Sequence, residues 1–161
     1  MTSENMMTAG RMLIDQKLTI AFAESATAGR LSAEFSMIEN AGKFLKGGIV
    51  CYDACLKENL LSVDHTLIQT YTPESMEVTQ AISHGLSRLI PADILIGVTG
   101  LTSAGGSETA EKPVGTVFIY ANHQGELAFS QRFNFTGERE DIVTATVESC
   151  ATLLVEYLQS I

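Results

Sequence analysis

A short apolar stretch that ends in a turn and continues as a helix limits the fold of this chain more than any other feature. Residues 19–29 read TIAFAESATAG, and Leu31, Phe35 and Ile38 follow at helical spacing. The apolar run before Glu24 predicts a buried strand. The first N–H groups of a helix lack intrahelical partners and lie at the positive end of its dipole. The pattern therefore predicts a strand–turn–helix unit that stabilises an anion at its turn.

Ser25 is the residue in this turn that can carry chemistry. N–H groups around it would stabilise the oxyanion that forms during acyl transfer, which makes Ser25 a candidate nucleophile. A hydroxyl residue in this place often only caps the helix, and Ser25 or Thr27 can have that role instead. The turn by itself leaves both interpretations open.

The rest of the chain alternates between helical and strand patterns. Helices are predicted at residues 3–17, 29–38, 54–62, 64–71, from 72 onwards and 137–161, and strands at 18–23, 47–52, 92–98, 114–121 and 126–135. Ser3 is a possible cap of the first helix, and Thr72 is predicted to cap the fifth, with Pro73 in its first position. The polar turn at 122–125 predicts a hairpin. This order predicts one α/β domain over residues 1–161, a three-layer α/β/α sandwich with a mixed sheet and a late β-hairpin.

Charge and composition exclude several kinds of partner. The net charge is −9, and the ten Lys and Arg residues form no basic run, which argues against nucleic acid. Cys51, Cys55 and Cys150 have no second Cys or His pair beside them, so we expect no metal site. Neither a signal peptide nor a membrane-spanning segment is evident. These features predict a cytoplasmic protein with no membrane partner.

Three further segments carry polar residues that can join the Ser25 site. Tyr52 ends a predicted strand, and Lys57 lies five residues on; a desolvated lysine can act as a base, and a tyrosine hydroxyl can relay a proton. The loop at 99–112 follows an apolar strand, where α/β sheets bind ligands. Arg139 opens the last helix, where a cation opposes the dipole unless it binds an anion. A strand-end tyrosine, a solvated lysine, a mobile connector and a surface arginine are the simpler alternatives.

Four motifs follow one another along the chain. They are the AES turn with Thr27 and Gly29, the GGIVCY strand with Lys57 behind it, VTG continuing through GG to EKPVGTV, and the F-x-G-x-R segment that ends at Arg139. Together they resemble the C-terminal domain family of the competence/damage-inducible protein CinA, over about residues 6–158. Stand-alone members of that family include the bacterial nicotinamide mononucleotide deamidases.

The resemblance implies hydrolysis of the amide of nicotinamide mononucleotide, which yields the nicotinic acid nucleotide and ammonia without a cofactor or a metal. Ser25 is then the nucleophile, and Lys57 and Tyr52 activate it or deliver a proton to ammonia. The implied partner is a small pyridine nucleotide. Its implied binding residues are Ala26, Thr27, Ala28, Gly29, Thr99, Gly100, Gly105, Gly106 and Arg139. The resemblance also implies a homo-oligomer, with the first helix as a candidate interface.

Several positions depart from the family's usual pattern at this site. Ala26 and Ala28 stand where a cysteine and a glycine are usual, Ala54 replaces an asparagine, and Ser103-Ala104 replaces a Gly-Pro pair. If position 28 has a positive φ, its Cβ costs about 1 kcal/mol. The chain is therefore expected to be an amidohydrolase with altered or reduced activity. The alternatives are an inactive paralogue that keeps the fold and a nucleotide pocket, and an interaction domain.

Overall fold

The computed structural model describes residues 3–161, which form a five-stranded sheet between two layers of helices. The strands are β1 (Ile20–Glu24), β2 (Leu45–Val50), β3 (Ile94–Gly100), β4 (Thr116–His123) and β5 (Glu126–Asn134). The helices are α1 (Glu4–Gln16), α2 (Arg30–Ser36), α3 (Ala54–Leu61), α4 (His65–Tyr71), α5 (Met76–Leu86) and α6 (Arg139–Gln159), with a 3₁₀ turn at Ala41–Lys43. The predicted α/β sandwich is confirmed.

The sheet is mixed, with the strand order β2-β1-β3-β4-β5. Strands β2, β1 and β3 run parallel, whereas β4 is antiparallel to both β3 and β5. The β4–β5 hairpin turns at Gln124 and Gly125, which both have positive φ, as a two-residue hairpin of right-handed twist requires. Because β1 and β3 are parallel neighbours, their carboxyl ends meet at one edge of the sheet.

Strand β1 shows how the two helical layers share the sheet. All five of its residues are buried, and successive side chains point to opposite faces. Ile20 and Phe22 belong to the cluster that includes residues of α1, α2 and α6. Ala21 and Ala23 belong to the cluster formed with α3, α4 and α5. Small side chains on this second face let its helices lie close to the sheet.

On this face, the backbone of α5 packs closely on β3. A Cβ on Gly97 would lie 2.5 Å from the carbonyl oxygen of Thr79, so the helix backbone packs directly on the strand. Ser83 also donates a hydrogen bond of 2.8 Å from its hydroxyl to the Leu95 carbonyl, across the same interface. These contacts fix where α5 lies, and with it the segment that leads into the helix.

Two helix starts can be compared with the sequence. Ser3 caps α1 as predicted, because its hydroxyl accepts from the N–H of Met6. The prediction for α5 is wrong: Ser75 is its N-cap and accepts from the N–H of Val78. Thr72 has a φ of 71° and lies outside the helix, together with Pro73. Two cap signals lie close together here, and the later one starts the helix.

Three observations on the described residues concern membrane-spanning helices, metal sites and disulfides. No helix within residues 3–161 is long and apolar enough to cross a bilayer. In the same part of the chain, no three His, Cys, Asp or Glu residues are grouped so that they could share a metal ion. Cys51, Cys55 and Cys150 are free thiols.

Candidate functional site

Glu24 organises the turn that follows β1. The side chain is fully buried at the end of the strand. Its carboxylate accepts hydrogen bonds from the hydroxyl of Thr27 (2.7 Å), the N–H groups of Gly29 (3.0 Å), Leu31 (2.9 Å) and Ser32 (2.8 Å), and the hydroxyl of Ser32 (2.7 Å). The N-cap residue of α2 is Gly29, which has no side chain to do this. Glu24 therefore takes the place of the missing cap.

This arrangement changes the prediction that the start of α2 binds an anion. The anion there is the chain's own Glu24 carboxylate, which occupies the N–H groups at the beginning of the helix. Two N–H groups of the preceding turn, those of Ala26 and Thr27, donate to no acceptor within residues 3–161. The oxyanion that forms when Ser25 attacks a carbonyl group would therefore accept from these two N–H groups of the turn, and not from those at the start of the helix.

Ser25 contacts a buried lysine. Lys57 Nζ lies 3.0 Å from Ser25 Oγ, 2.7 Å from the carbonyl oxygen of Cys51 and 3.4 Å from that of Tyr52. Lys57 is only 1% exposed, and these contacts are all with uncharged oxygens. Because Glu24 caps α2, the Ser25 hydroxyl does not serve as a helix cap. It contacts Lys57 instead.

The surroundings of Lys57 weaken its hold on a proton. Burial lowers the pKa of Lys57, and the charges of Cys51, Glu74 and Asp53 oppose that effect only in part. As an ammonium, Nζ donates to Ser25 Oγ; as a neutral amine, it can accept the hydroxyl proton. A serine paired with a desolvated lysine is an arrangement that generates an alkoxide nucleophile.

Two adjoining cavities open beside this pair. The smaller, of about 190 Å³, is lined by Ser25 and by the loop that follows β3. The larger is a cleft of about 600 Å³ along the start of α2 and the start of α6. Ala26, Tyr52 and Thr102 line both cavities, so that a ligand could extend from one into the other.

Most of the predicted site residues line one of these cavities. They are Ser25, Ala26, Thr27, Ala28, Gly29, Tyr52, Gly100, Gly105, Gly106 and Arg139. Thr99 is not among them: it is fully buried, and its hydroxyl lies 2.8 Å from that of Thr79 on α5. Tyr52 is 58% exposed, and it meets Lys57 through its peptide carbonyl rather than its ring.

A network of polar groups attaches the loop after β3 to the segment before α5. Lys112 Nζ donates to Thr72 Oγ1 (2.5 Å), the carbonyl of Glu74 (2.9 Å) and Ser107 Oγ (2.9 Å). The Ser107 hydroxyl in turn donates to the Glu74 carboxylate. Lys112 and Glu74 were not predicted as site residues. The lysine stands in the EKPVGTV motif, which was the one available signal.

Arg30 is a second residue that the sequence did not single out. It lines the larger cleft together with Arg139, and its guanidinium pairs with Glu34 and Glu140, at 3.0 Å in each case. These hydrogen bonds raise the pKa of Arg30 above its ordinary value. The cleft therefore carries two guanidinium groups, one of them already held by carboxylates.

Comparisons with known proteins find matches to one family. The family model described as CinA C-terminal domain matches residues 3–158. A CinA-like protein of Thermotoga maritima is 36% identical over 149 residues, which cover 92% of this chain. A putative competence-damage inducible protein of Desulforamulus reducens is 35% identical over 93% of this chain. The chain spans 36% of the length of each of these two relatives.

Solved structures of the same fold support this assignment. A crystal structure of a competence-damaged protein (CinA) superfamily protein from Klebsiella pneumoniae superposes with a TM-score of 0.94 at 30% identity, and covers 100% of this chain and 99% of that one. A CinA superfamily protein from Escherichia coli superposes with a TM-score of 0.88 at 27% identity, over 95% and 88% of the two chains. The chain thus belongs to the CinA C-terminal domain family.

Proposed function

We propose that this chain hydrolyses the carboxamide of nicotinamide mononucleotide by acyl transfer to Ser25, with release of ammonia. The observation that carries the proposal is the 3.0 Å contact between Ser25 Oγ and the buried Lys57 Nζ. Lys57 contacts no carboxylate among residues 3–161. Burial therefore favours its neutral amine, which is the form that can act as a general base.

In the first half of the reaction, Ser25 Oγ attacks the carboxamide carbon while its proton passes to the neutral Lys57 Nζ. The N–H groups of Ala26 and Thr27 stabilise the oxyanion of the tetrahedral intermediate. The C–N bond then breaks, and Lys57 returns the proton to the departing nitrogen. Ammonia leaves, and the acyl group remains on Ser25 as an ester.

In the second half, a water molecule attacks the ester carbon and gives its proton to Lys57. The bond between the acyl carbon and Ser25 Oγ breaks, and Oγ recovers the proton from Lys57. The product is the carboxylic acid of the same nucleotide, which then releases its proton to water and leaves as the carboxylate. One lysine therefore serves as base and acid in both halves, and its hydrogen-bond partners in the described part of the chain are Ser25 and two carbonyl groups.

The two cavities divide the substrate between them. The smaller cavity, at about 190 Å³, lies below the range of about 300–1,000 Å³ for pockets that hold a whole ligand. It suits the ring and its carboxamide, whereas the larger cleft suits the ribose and phosphate. Arg139 is exposed in that cleft, so its guanidinium is available to a phosphate.

The test is ammonia release by the purified chain incubated with nicotinamide mononucleotide. Ser25→Ala should lower the rate by about a thousandfold or more, since it removes the nucleophile. Ser36→Ala is the matched control, because this exposed serine ends α2 away from both cavities. Equal rates in the wild type and Ser25→Ala would contradict the proposal.

A second function is favoured by Ala28, whose φ is 47° and whose exposed methyl group borders the larger cleft. In this alternative, the added methyl group blocks a productive approach to the turn, and the chain binds a mononucleotide without turnover. Binding alone stabilises the folded state by about 2.7 kcal/mol at a hundred times Kd. A rise in Tm with the mononucleotide, without any ammonia, would favour this alternative.

We also propose that the protein acts in the cytoplasm. Its three cysteines are free thiols, and two of them, Cys51 and Cys150, are buried, as is usual where the environment is reducing. Localisation of the tagged chain by cell fractionation would test this.

A further inference from the structure

Glu74 places a carboxylate in the wall of the smaller cavity. The residue directly precedes Ser75, the N-cap of α5, and it lines the same cavity as Ser25. Of the described residues that line this cavity, Glu74 is the only one with a charged side chain. The cavity beside Ser25 therefore has one acidic side chain in its wall.

The neighbouring cations do not pair with this carboxylate directly. Lys57 contacts Ser25 and two carbonyl groups. Lys112 reaches the peptide carbonyl of Glu74 rather than its side chain, and it meets the carboxylate only through the Ser107 hydroxyl. Ser107 donates to Oε2, while Oε1 has no donor among the described residues.

We propose that Glu74 makes the cavity beside Ser25 selective for a carboxamide whose ring carries a positive charge. The proposal rests on the function proposed above, since it takes Ser25 as the group that the carboxamide must reach. Glu74 is a specificity-determining residue in this scheme and takes no part in bond making.

The physical reason is that charges near a protein surface are screened less than charges in bulk water. A carboxylate and a cationic ring a few ångströms apart attract each other more strongly in a partly enclosed space than in water. A neutral ring of the same shape gains nothing from the charge, and an anionic acyl group is repelled. Selectivity should therefore depend on the charge of the ring and only weakly on its outline.

The alternative role for Glu74 is structural, since its carboxylate also anchors the loop through Ser107. Two variants separate these roles. Glu74→Gln removes the charge but keeps an oxygen that can accept from Ser107. Ser107→Ala removes the anchor but keeps the charge.

The experiment compares ligands that differ in ring charge. Nicotinamide mononucleotide has a cationic pyridinium ring, and its reduced dihydropyridine form has a neutral one. Their Kd values are measured by calorimetry in a Ser25→Ala background, in which no turnover occurs. Glu74→Gln should lower the preference for the cationic form by about tenfold. Ser107→Ala should change both Kd values by a similar factor and leave their ratio in place.

A second pair of ligands keeps this test independent of the nucleotide. 1-Methylnicotinamide, a pyridinium cation methylated on the ring nitrogen, and nicotinamide, which is neutral, lack the ribose and phosphate and can be compared by ligand-observed NMR. A Glu74-dependent preference for the cation without ammonia release from the mononucleotide would support this inference and reject the proposed function. A preference unchanged in Glu74→Gln, or no binding of either cationic ligand, would overturn the inference.

Discussion

Lys57 is the residue in which burial and chemistry are most closely coupled. Its amine is almost fully enclosed, and burial lowers its pKa. The rate of amide hydrolysis should therefore rise with pH until Lys57 is neutral, and below its pKa it should fall about tenfold per pH unit, because the ammonium cannot accept the Ser25 proton. A pH profile of kcat/KM measures this. A flat profile at low pH would contradict the assignment of Lys57 as the base.

Lys57 should also make the free energy of unfolding depend on pH. The unfolded chain keeps the proton up to a pKa of about 10.4, whereas the folded chain loses it at a lower pH. Between these two values the unfolded state binds more protons, so the free energy of unfolding should rise with pH. Urea denaturation of the wild type and Lys57→Met across this range is the check, since the variant should lose this part of the rise.

Ala28 has a side chain where the backbone favours glycine. Its φ is 47°, which is the case for which the sequence argument assigned a strain, and its methyl group is exposed. Ala28→Gly should raise the free energy of unfolding by about 0.5 kcal/mol, because relief of strain exceeds the added entropy of the unfolded chain. Ala33→Gly on α2 is the matched control and should lower it by about 1 kcal/mol. Urea denaturation measures both, and a loss of stability in Ala28→Gly would contradict the strain.

The sequence predicts the residue types of the site better than their contacts. Ser25 and Lys57 were singled out because a serine at a strand–helix turn and a lysine near a strand end can do chemistry. Their 3.0 Å contact depends on how α3 is oriented on the sheet, which no local pattern contains. Glu24 was part of a quoted motif, yet its role as the cap of α2 was not predicted. That role depends on hydrogen bonds from N–H groups five to eight residues further along the chain.

At the scale of elements, the packing of α5 on β3 positions the segment before α5, which carries Glu74. Gly97→Ala would place a Cβ 2.5 Å from the Thr79 carbonyl oxygen and 3.0 Å from Ile82. Because backbone rather than a flexible side chain must move, the free energy of unfolding should fall by about 1–3 kcal/mol. Gly42→Ala is the control, with no atom within 4 Å of its new Cβ, and should stay within about 0.5 kcal/mol. Chemical denaturation of both variants tests this, and equal stabilities would contradict the close approach.

Element positions could be predicted where hydrophobic periodicity is strong. Predicted and observed bounds agree to within two residues for β1 and β3, because both strands form continuous apolar runs that are buried on two faces. The start of α5 could not be predicted, since Thr72-Pro73 is itself a good helix start and only the fold shows that Thr72 has a positive φ. Local signals compete there, and tertiary contacts decide between them.

At the scale of the whole molecule, self-association remains a prediction. The first helix was the candidate interface, yet Met6 and Leu13 are buried within the chain, in the core cluster that also contains α6 residues. Met7, at 43% exposed, is the part of that apolar surface still open to a second copy. Light scattering at micromolar concentration should give a mass above that of one chain, and Met7→Glu should reduce it if α1 forms the interface. A monomeric wild type would contradict the prediction.

The two walls of the smaller cavity differ in how closely they are connected to the sheet and its helices. One wall is the Ser25 turn, which the buried Glu24 ties into β1 and α2, so that a change there disturbs the sheet and the helix together. The other wall is the loop after β3, which Lys112 and Ser107 attach to the segment before α5. Mutations in the loop can alter what enters the cavity while the nucleophile stays in place. The architecture thus separates the evolvable part of the site from its rigid part, and an engineer who wants a new amide substrate should randomise the loop and leave the turn untouched.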